Sequence, residues 1–200
     1  MDNEEERRIM MRIRLIMFVI MIVLLTACQE NERSPLEVRL YNADKDAVGT
    51  ARFNELEDNV AVQIKVEGLE PGLHGVHIHE YAKCEGPDFE SAGNHFNPEG
   101  KEHGLMNPDG AHLGDMPNLE AGQDGTADVE FDLPGATLMD GNNSLLREDG
   151  TSIIIHADQD DGVSQPGGNS GARIVCGEIT LKNQPEEEAT DPTETNNKEE

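Results

Sequence analysis

Five Asp-Gly pairs, at Asp109, Asp124, Asp140, Asp149 and Asp161, cut the second half of this 200-residue chain into short pieces and constrain its fold more than any other feature. Asp-Gly is a reversal dipeptide, because Gly accepts the positive φ of a tight hairpin turn. Before and between such turns the apolar residues alternate: Val60-Ala61-Val62-Gln63-Ile64-Lys65-Val66 has the period of a strand, not of a helix. Short apolar runs such as Ile153-Ile154-Ile155 and Ile174-Val175-Cys176 read as buried strands. No stretch from residue 36 to 182 sustains helical periodicity, and no internal repeat is evident. Many short strands with turn signals predict an all-β antiparallel sandwich or barrel.

Six of the seven histidines fall on this framework in a pattern that reads as a two-metal site. His77 and His79 lie in Gly75-Val76-His77-Ile78-His79, a predicted strand. Alternate side chains on a strand share a face, so both imidazoles point one way and Val76 and Ile78 point into a core. His95, His103 and His112 join Asp115 within 21 positions, in a Gly/Pro/Asn-rich stretch (82–124) read as loop and not as regular strand. Three nitrogens and one oxygen suit a closed tetrahedral zinc site, and imidazole-rich sites suit copper and zinc. His156 follows the 153–155 run and reaches His77 and His79 only through the fold. The seventh, His74, stands alone in Leu73-His74-Gly75 and reads as a hydrogen-bonded structural residue.

Five motifs carry a resemblance to a known family: Gly75-Val76-His77-Ile78-His79-Glu80, Ser91-Ala92-Gly93-Asn94-His95-Phe96-Asn97-Pro98, Lys101-Glu102-His103-Gly104, His112-Leu113-Gly114-Asp115 and Gly171-Ala172-Arg173-Ile174-Val175-Cys176-Gly177. Spread in order over residues 36–182, they resemble the copper/zinc superoxide dismutases. The resemblance implies a Greek-key β-barrel with an immunoglobulin-like layout and long metal-binding loops. It implies that copper is held by His77, His79, His95 and His156, and zinc by His95, His103, His112 and Asp115, with His95 bridging both. It further implies that Asp160 accepts hydrogen bonds from His77 and His103, fixing their rings. Arg173 is expected to orient the anionic substrate, superoxide, at the mouth of the copper channel, and His95 to supply a proton. Cys84 and Cys176 match the family's disulfide. The chain departs from the better-known eukaryotic members between Asp160 and Arg173, where Asp161-Gly162-Val163-Ser164-Gln165-Pro166-Gly167-Gly168-Asn169 is short and has no lysine. Electrostatic guidance by that segment is therefore not expected. The sequences after His79 and His112 look more like the bacterial branch, and no ligand position is substituted.

The N-terminus reads as an export signal. Arg12-Ile13-Arg14 precedes the apolar run 15–25, which is followed by Leu25-Thr26-Ala27-Cys28. A membrane-spanning helix needs about 20 apolar residues, so a short run before small residues reads as a signal peptide. Leu-Thr-Ala-Cys resembles a bacterial lipobox, implying cleavage before Cys28 and acylation of its thiol. The acidic preface, Asp2 to Glu6, is unusual for such a signal and leaves Met10 and Met11 open beside Met1 as the start of translation. Removing Cys28 from the count of three leaves an even pair, as an oxidising compartment favours. The expected organisation is a signal peptide (1–27), a lipidated tether (28–35), one dismutase-like domain (36–182) and an acidic disordered tail (183–200).

The formal net charge is −26, and residues 36–182 hold 28 acidic against 9 basic side chains. Such a surface disfavours nucleic acid and anionic lipid headgroups, so membrane attachment is expected to rest on the acyl chains. The sequence predicts an extracytoplasmic, membrane-anchored superoxide dismutase using copper and zinc, and leaves its oligomeric state open. The alternative is a copper- or zinc-sequestering lipoprotein with little dismutase activity, supported by the segment without lysine.

Overall fold

The computed structural model describes residues 34–183 together with Arg7, Met10, Met11, Arg12 and Arg14. The chain divides into two units, Met1–Arg33 and Ser34–Glu200. The five described residues of the first are helical and exposed. The apolar run 15–25, Cys28, most of the expected tether and the tail beyond Asn183 lie outside the described residues. Among the described residues, no helix is long and apolar enough to cross a membrane.

Strands account for most of the regular structure described in the second unit, joined by two short 3-10 helices, Glu90–Ala92 and Leu181–Asn183. β1 (Leu36–Asn42) buries Leu36, Val38 and Leu40 and exposes Glu37 and Arg39. It pairs with β2 (Ala47–Glu55), which pairs with β3 (Asn59–Val66). Then come β4 (Gly72–His74), β5 (Val76–His79), β6 (Leu119–Ala121), β7 (Ala127–Pro134), β8 (Thr151–His156) and β9 (Arg173–Ile179). The larger sheet runs in the order β5-β8-β9-β1-β2-β3-β7, and β4 pairs with β6 in a second, small sheet. Every pairing is antiparallel. The chain skips strands when it passes from β3 toward β5 and again from β7 to β8, which are Greek-key connections. Although β5 and β7 stand at opposite ends of the order, Val76 and Ile78 share one core with Leu133. The sheet must therefore curl round on itself, and it forms a Greek-key β-barrel.

Asp-Gly pairs turn the chain as anticipated: Gly125, Gly141, Gly150 and Gly162 have φ of 76°, 75°, 104° and 75°. One expectation needs correcting. The stretch 82–124 does contain a regular strand, β6, because Leu119 and Ala121 are buried around an exposed Glu120. Three residues are too few for alternation to register, and what makes them a strand is pairing with β4.

β8 is buried along its whole length. Ile153 and Ile155 enter the main core, while Ile154 faces the opposite way and packs with Phe89, Ala92 and Cys176. This double coverage explains the uninterrupted Ile153-Ile154-Ile155 run, each side chain contributing about 2 kcal/mol by burial. The 80–94 loop is thereby held against the same sheet face that carries the histidines.

Candidate metal centre

The centre is assembled along β5. On one side β5 pairs with β8, setting His77 opposite Ile154 and His79 opposite Ser152. The pairing of β8 with β9 slips by one residue between Ile155 and His156, a bulge that re-aims the strand end beside the other rings. On its other side β5 has no strand partner among the described residues and binds two loop segments instead. Ile78 N–H donates to Gly114 O at 2.9 Å, and Phe96 N–H donates to Ile78 O at 2.7 Å. These bonds bring Asp115 across from His77 and His95 across from His79. Val76 and Ile78 fill the core on the opposite face.

The result is two donor groups that share one residue. His77, His79, His95 and His156 place one ring nitrogen each within 4.8 Å of the others, and so do His95, His103 and His112 with one Asp115 oxygen. The His77 and His95 rings stack at 4.0 Å between centroids. All six sequence-predicted histidines and Asp115 thus come together.

Hydrogen bonds fix which nitrogen of each ring is free. His77 Nε2–H donates to Asp160 Oδ2 at 2.6 Å, His79 Nδ1–H to Gly93 O at 3.0 Å and His156 Nδ1–H to Gly171 O at 3.3 Å. The other nitrogen of each, His77 Nδ1, His79 Nε2 and His156 Nε2, is buried without a partner. Orphaned buried polar atoms are costly, and three converging on one locus fit a soft cation held by imidazoles. On the second side, His103 Nε2–H donates to Asp160 Oδ1 at 3.2 Å. His103 Nδ1 lies 3.0 Å from Asp115 Oδ2 without the alignment of a hydrogen bond. His95 Nδ1 and His112 Nδ1 stand 2.9 and 3.3 Å from Asp115 Oδ1. Three ring nitrogens gathered round one carboxylate are the donor set of a tetrahedral zinc ion.

The proton affinities follow the same division. Burial is the largest influence on His79, His95 and His156, and mutual repulsion among the rings adds to it. It lowers His79 well below its ordinary value, His95 to about 4 and His156 to about 3. Burial also opposes a charge on His103, yet the negative charge of Asp115 and Asp160 close to its ring, with the hydrogen bond to Asp160, overcomes it and raises His103 to about 9. Burial would raise the two carboxyls, but their imidazole and backbone N–H partners hold both well below the ordinary range. Without metal, a proton on His103 does the work of a cation between the carboxylates.

Arg173 begins β9 in register with His156. Its Nη1–H and Nη2–H donate to the carbonyls of Phe89 and Gly93, each at 2.7 Å. The Gly93 carbonyl also receives the His79 bond, so guanidinium and ring are anchored to one atom. A disulfide between Cys84 and Cys176, with a Cα–Cα distance of 5.7 Å, ties the same loop to β9. His74 is buried, with Nδ1 and Nε2 each 2.8 Å from a carbonyl, those of His156 and Glu70; it is structural, as expected.

The loop between β8 and β9 lies directly on the centre. A Cβ on Gly167 would stand 3.2 Å from His95 Nε2, and one on Gly168, where φ is 64°, would collide with the Asp160 carboxylate. Only glycine lets the backbone approach the rings so closely. Two carboxamides that the sequence did not single out as functional also reach the centre. Asn118 brackets the main chain of Asp160, donating to its carbonyl and accepting from its N–H, both at 2.8 Å. Gln165 does the same for His103. A carboxamide in a Gly/Pro-rich segment has no periodicity or charge to distinguish it, so no sequence signal exposes either residue.

Fold and site together define a copper- and zinc-binding β-barrel, and comparison with known proteins agrees. A family model described as copper/zinc superoxide dismutase matches residues 47–179. The superoxide dismutase-like protein YojM of Bacillus subtilis is 47% identical over 150 residues, covering 74% of this chain and 76% of that protein. A Cu-Zn superoxide dismutase of Aquifex aeolicus is 40% identical over 159 residues, 78% of this chain and 93% of its own. The crystal structure of a SOD-like protein from Bacillus subtilis superposes with a TM-score of 0.71 at 44% identity, covering 73% of this chain and 99% of that one. The chain belongs to the copper/zinc superoxide dismutase family, oxidoreductases whose metals are copper and zinc.

Proposed function

We propose that this superoxide dismutase binds copper through His77, His79, His95 and His156 and zinc through His95, His103, His112 and Asp115, with His95 shared. The observation that carries this reading is the set of three buried, unpartnered nitrogens, His77 Nδ1, His79 Nε2 and His156 Nε2, in the all-imidazole group. A bound copper supplies one-electron exchange: one superoxide is oxidised to dioxygen, and a second is reduced and takes two protons to become hydrogen peroxide. The chain's own residues bind, orient and protonate. Arg173, fixed by Phe89 and Gly93, presents a positive charge beside His79 and His156 and orients the anion. His95, the ring common to both donor groups, serves as proton donor to the reduced anion, and water supplies the other proton. Asp160 holds one ring of each group and keeps the two halves in register.

The cellular setting belongs to the same proposal. The protein is an exported lipoprotein, acylated at Cys28 and anchored outside the cytoplasm, as supported by Leu25-Thr26-Ala27-Cys28 and by a disulfide suited to an oxidising compartment. Intact-mass analysis of membrane-extracted protein is expected to find an acylated Cys28 as the first residue. An unmodified Cys28 overturns the anchor.

Cupric EPR and a superoxide-decay assay on one metal-reconstituted sample test the activity. The expected result is an all-nitrogen copper signal together with rapid decay. Bound but silent copper would favour the sequestering lipoprotein, which the lysine-free segment 161–169 recommends as a second reading.

A further inference from the structure

The segment 161–169 contributes no lysine, yet it is packed with hydrogen bonds, most of them within the segment and three of them to the zinc-side loop. Met106 N–H donates to Gly162 O at 3.1 Å, Asp161 N–H to Gly168 O at 2.9 Å, and Asn169 Nδ2–H to Asp161 Oδ2 at 2.9 Å. The longest reach is made by Gln165. Its Oε1 accepts the His103 N–H at 2.9 Å, and its Nε2 donates to His103 O at 3.0 Å and to Val163 O at 3.2 Å.

A side-chain amide that accepts from the N–H and donates to the C=O of one residue reproduces the bonding that a neighbouring strand offers. β5 obtains such support from β8, so His77 and His79 need no special device. His103 lies in a loop with no strand beside it, and its ring must still face Asp115 and Asp160 at once. Asn118 solves the same problem for Asp160. Gln165 leaves the chain nine residues after His156, so it also links the strand that carries one donor group to the loop that carries the other.

We propose that Gln165 is a positioning residue for His103: its carboxamide stands in for a missing strand, fixes the His103 main chain, and thereby sets zinc retention. This assigns the short loop a structural use in the centre where a charged loop would serve guidance. The inference rests on the zinc set proposed above, and the test separates the two.

Zinc affinity is measured by chelator competition on the full disulfide-bonded protein for the wild type, Gln165→Ala, Gln165→Glu and His103→Ala. Cobalt(II) spectra of the zinc-side group and cupric EPR are recorded alongside. Residues that orient metal ligands typically contribute ten- to hundredfold to affinity, so Gln165→Ala is expected to weaken zinc about tenfold. It should broaden the cobalt bands and leave the copper signal and the melting temperature of the metal-free protein nearly unchanged. Gln165→Glu keeps the acceptor but sets a carboxylate against two carbonyls, and is expected to weaken zinc at least as much. Unchanged zinc affinity and cobalt spectra in both Gln165 variants, with His103→Ala strongly impaired, overturn the role of Gln165 alone. Unchanged zinc affinity in His103→Ala overturns the zinc set itself. A Gln165→Ala protein that loses zinc only in proportion to a lower metal-free melting temperature also refutes positioning, since general destabilisation would account for it.

Discussion

At the residue scale the centre works by division of each imidazole into a fixed edge and a free edge. A carbonyl or carboxylate takes the N–H of His77, His79 and His156, and the opposite nitrogen is left buried and unpartnered. The histidines were legible in the sequence because their spacing, His77-x-His79 on an alternating strand and three imidazoles with Asp115 within 21 positions, has few other uses. Asn118 and Gln165 were not, since their effect depends on which main chain the fold brings beside them. Arg173 carries a prediction at this scale. Replacing it by Glu removes the oriented cation and reverses its charge, and should lower the dismutation rate at least tenfold at every salt concentration, as expected for a lost charge-assisted contact of about 1.5 kcal/mol or more. Arg173→Lys keeps the charge but not the forked bonds to Phe89 and Gly93, and should retain an intermediate rate. Pulse radiolysis checks both; an unchanged rate in Arg173→Glu removes that residue from the reaction.

Strands and loops divide the labour at the element scale. β3 was legible because alternation persists from Val60 to Val66, and β8 because Ile153-Ile154-Ile155 is an unbroken apolar run. β4 and β6 were not, because each is three residues long and exists through its pairing with the other. The Greek-key barrel likewise came from family resemblance, since no local pattern records that β5 and β7 close on one core. The 80–94 loop shows how an element without regular strand structure is made rigid: Arg173 binds two of its carbonyls, its Phe89 and Ala92 pack on Ile154, and Cys84–Cys176 bolts it to β9. The bridge spans 92 positions, and cross-linking a loop of that size stabilises a fold by about 4 kcal/mol on the chain-entropy estimate. Reduction should therefore lower the melting temperature by several degrees and speed metal loss to a chelator, because the Gly93 carbonyl that fixes His79 and Arg173 loosens with the loop. Calorimetry and chelator kinetics with and without reductant test this; identical metal retention in the two forms would show that the loop holds without its bridge.

The whole molecule is strongly acidic, and under the proposed assignment its centre is locally positive. With a net charge of −26 the protein repels superoxide at long range, whereas Arg173 and the bound metals, in their proposed roles, attract it at short range. Added salt screens charges more than about 8 to 10 Å apart, so it should weaken the repulsion more than the attraction. The rate is expected to rise or stay level with ionic strength; a steep fall would mean that positive steering dominates. The metal-free protein should show a stability maximum near pH 6.5. His103 is raised to about 9 in the fold, so its contribution is fully present below about 6.5 and disappears as pH rises through 9. His79, His95 and His156 are lowered, so the unfolded chain takes up protons below about 6.5 that the fold resists, and stability drops toward pH 4 and 3. Asp115 and Asp160 are also depressed, and their contribution is lost only below the ordinary aspartate range. Scanning calorimetry from pH 4.5 to 9.5 would contradict this account if stability changed in one direction only. The most direct test of the central claim, copper-dependent dismutation at the His77–His79–His95–His156 group, is the dismutation rate of zinc-loaded protein as copper is added. In the wild type the rate should climb in proportion to copper and stop at one equivalent per chain, while His156→Ala stays at background and keeps its zinc. A His156→Ala protein that dismutes superoxide at the wild-type rate would contradict it.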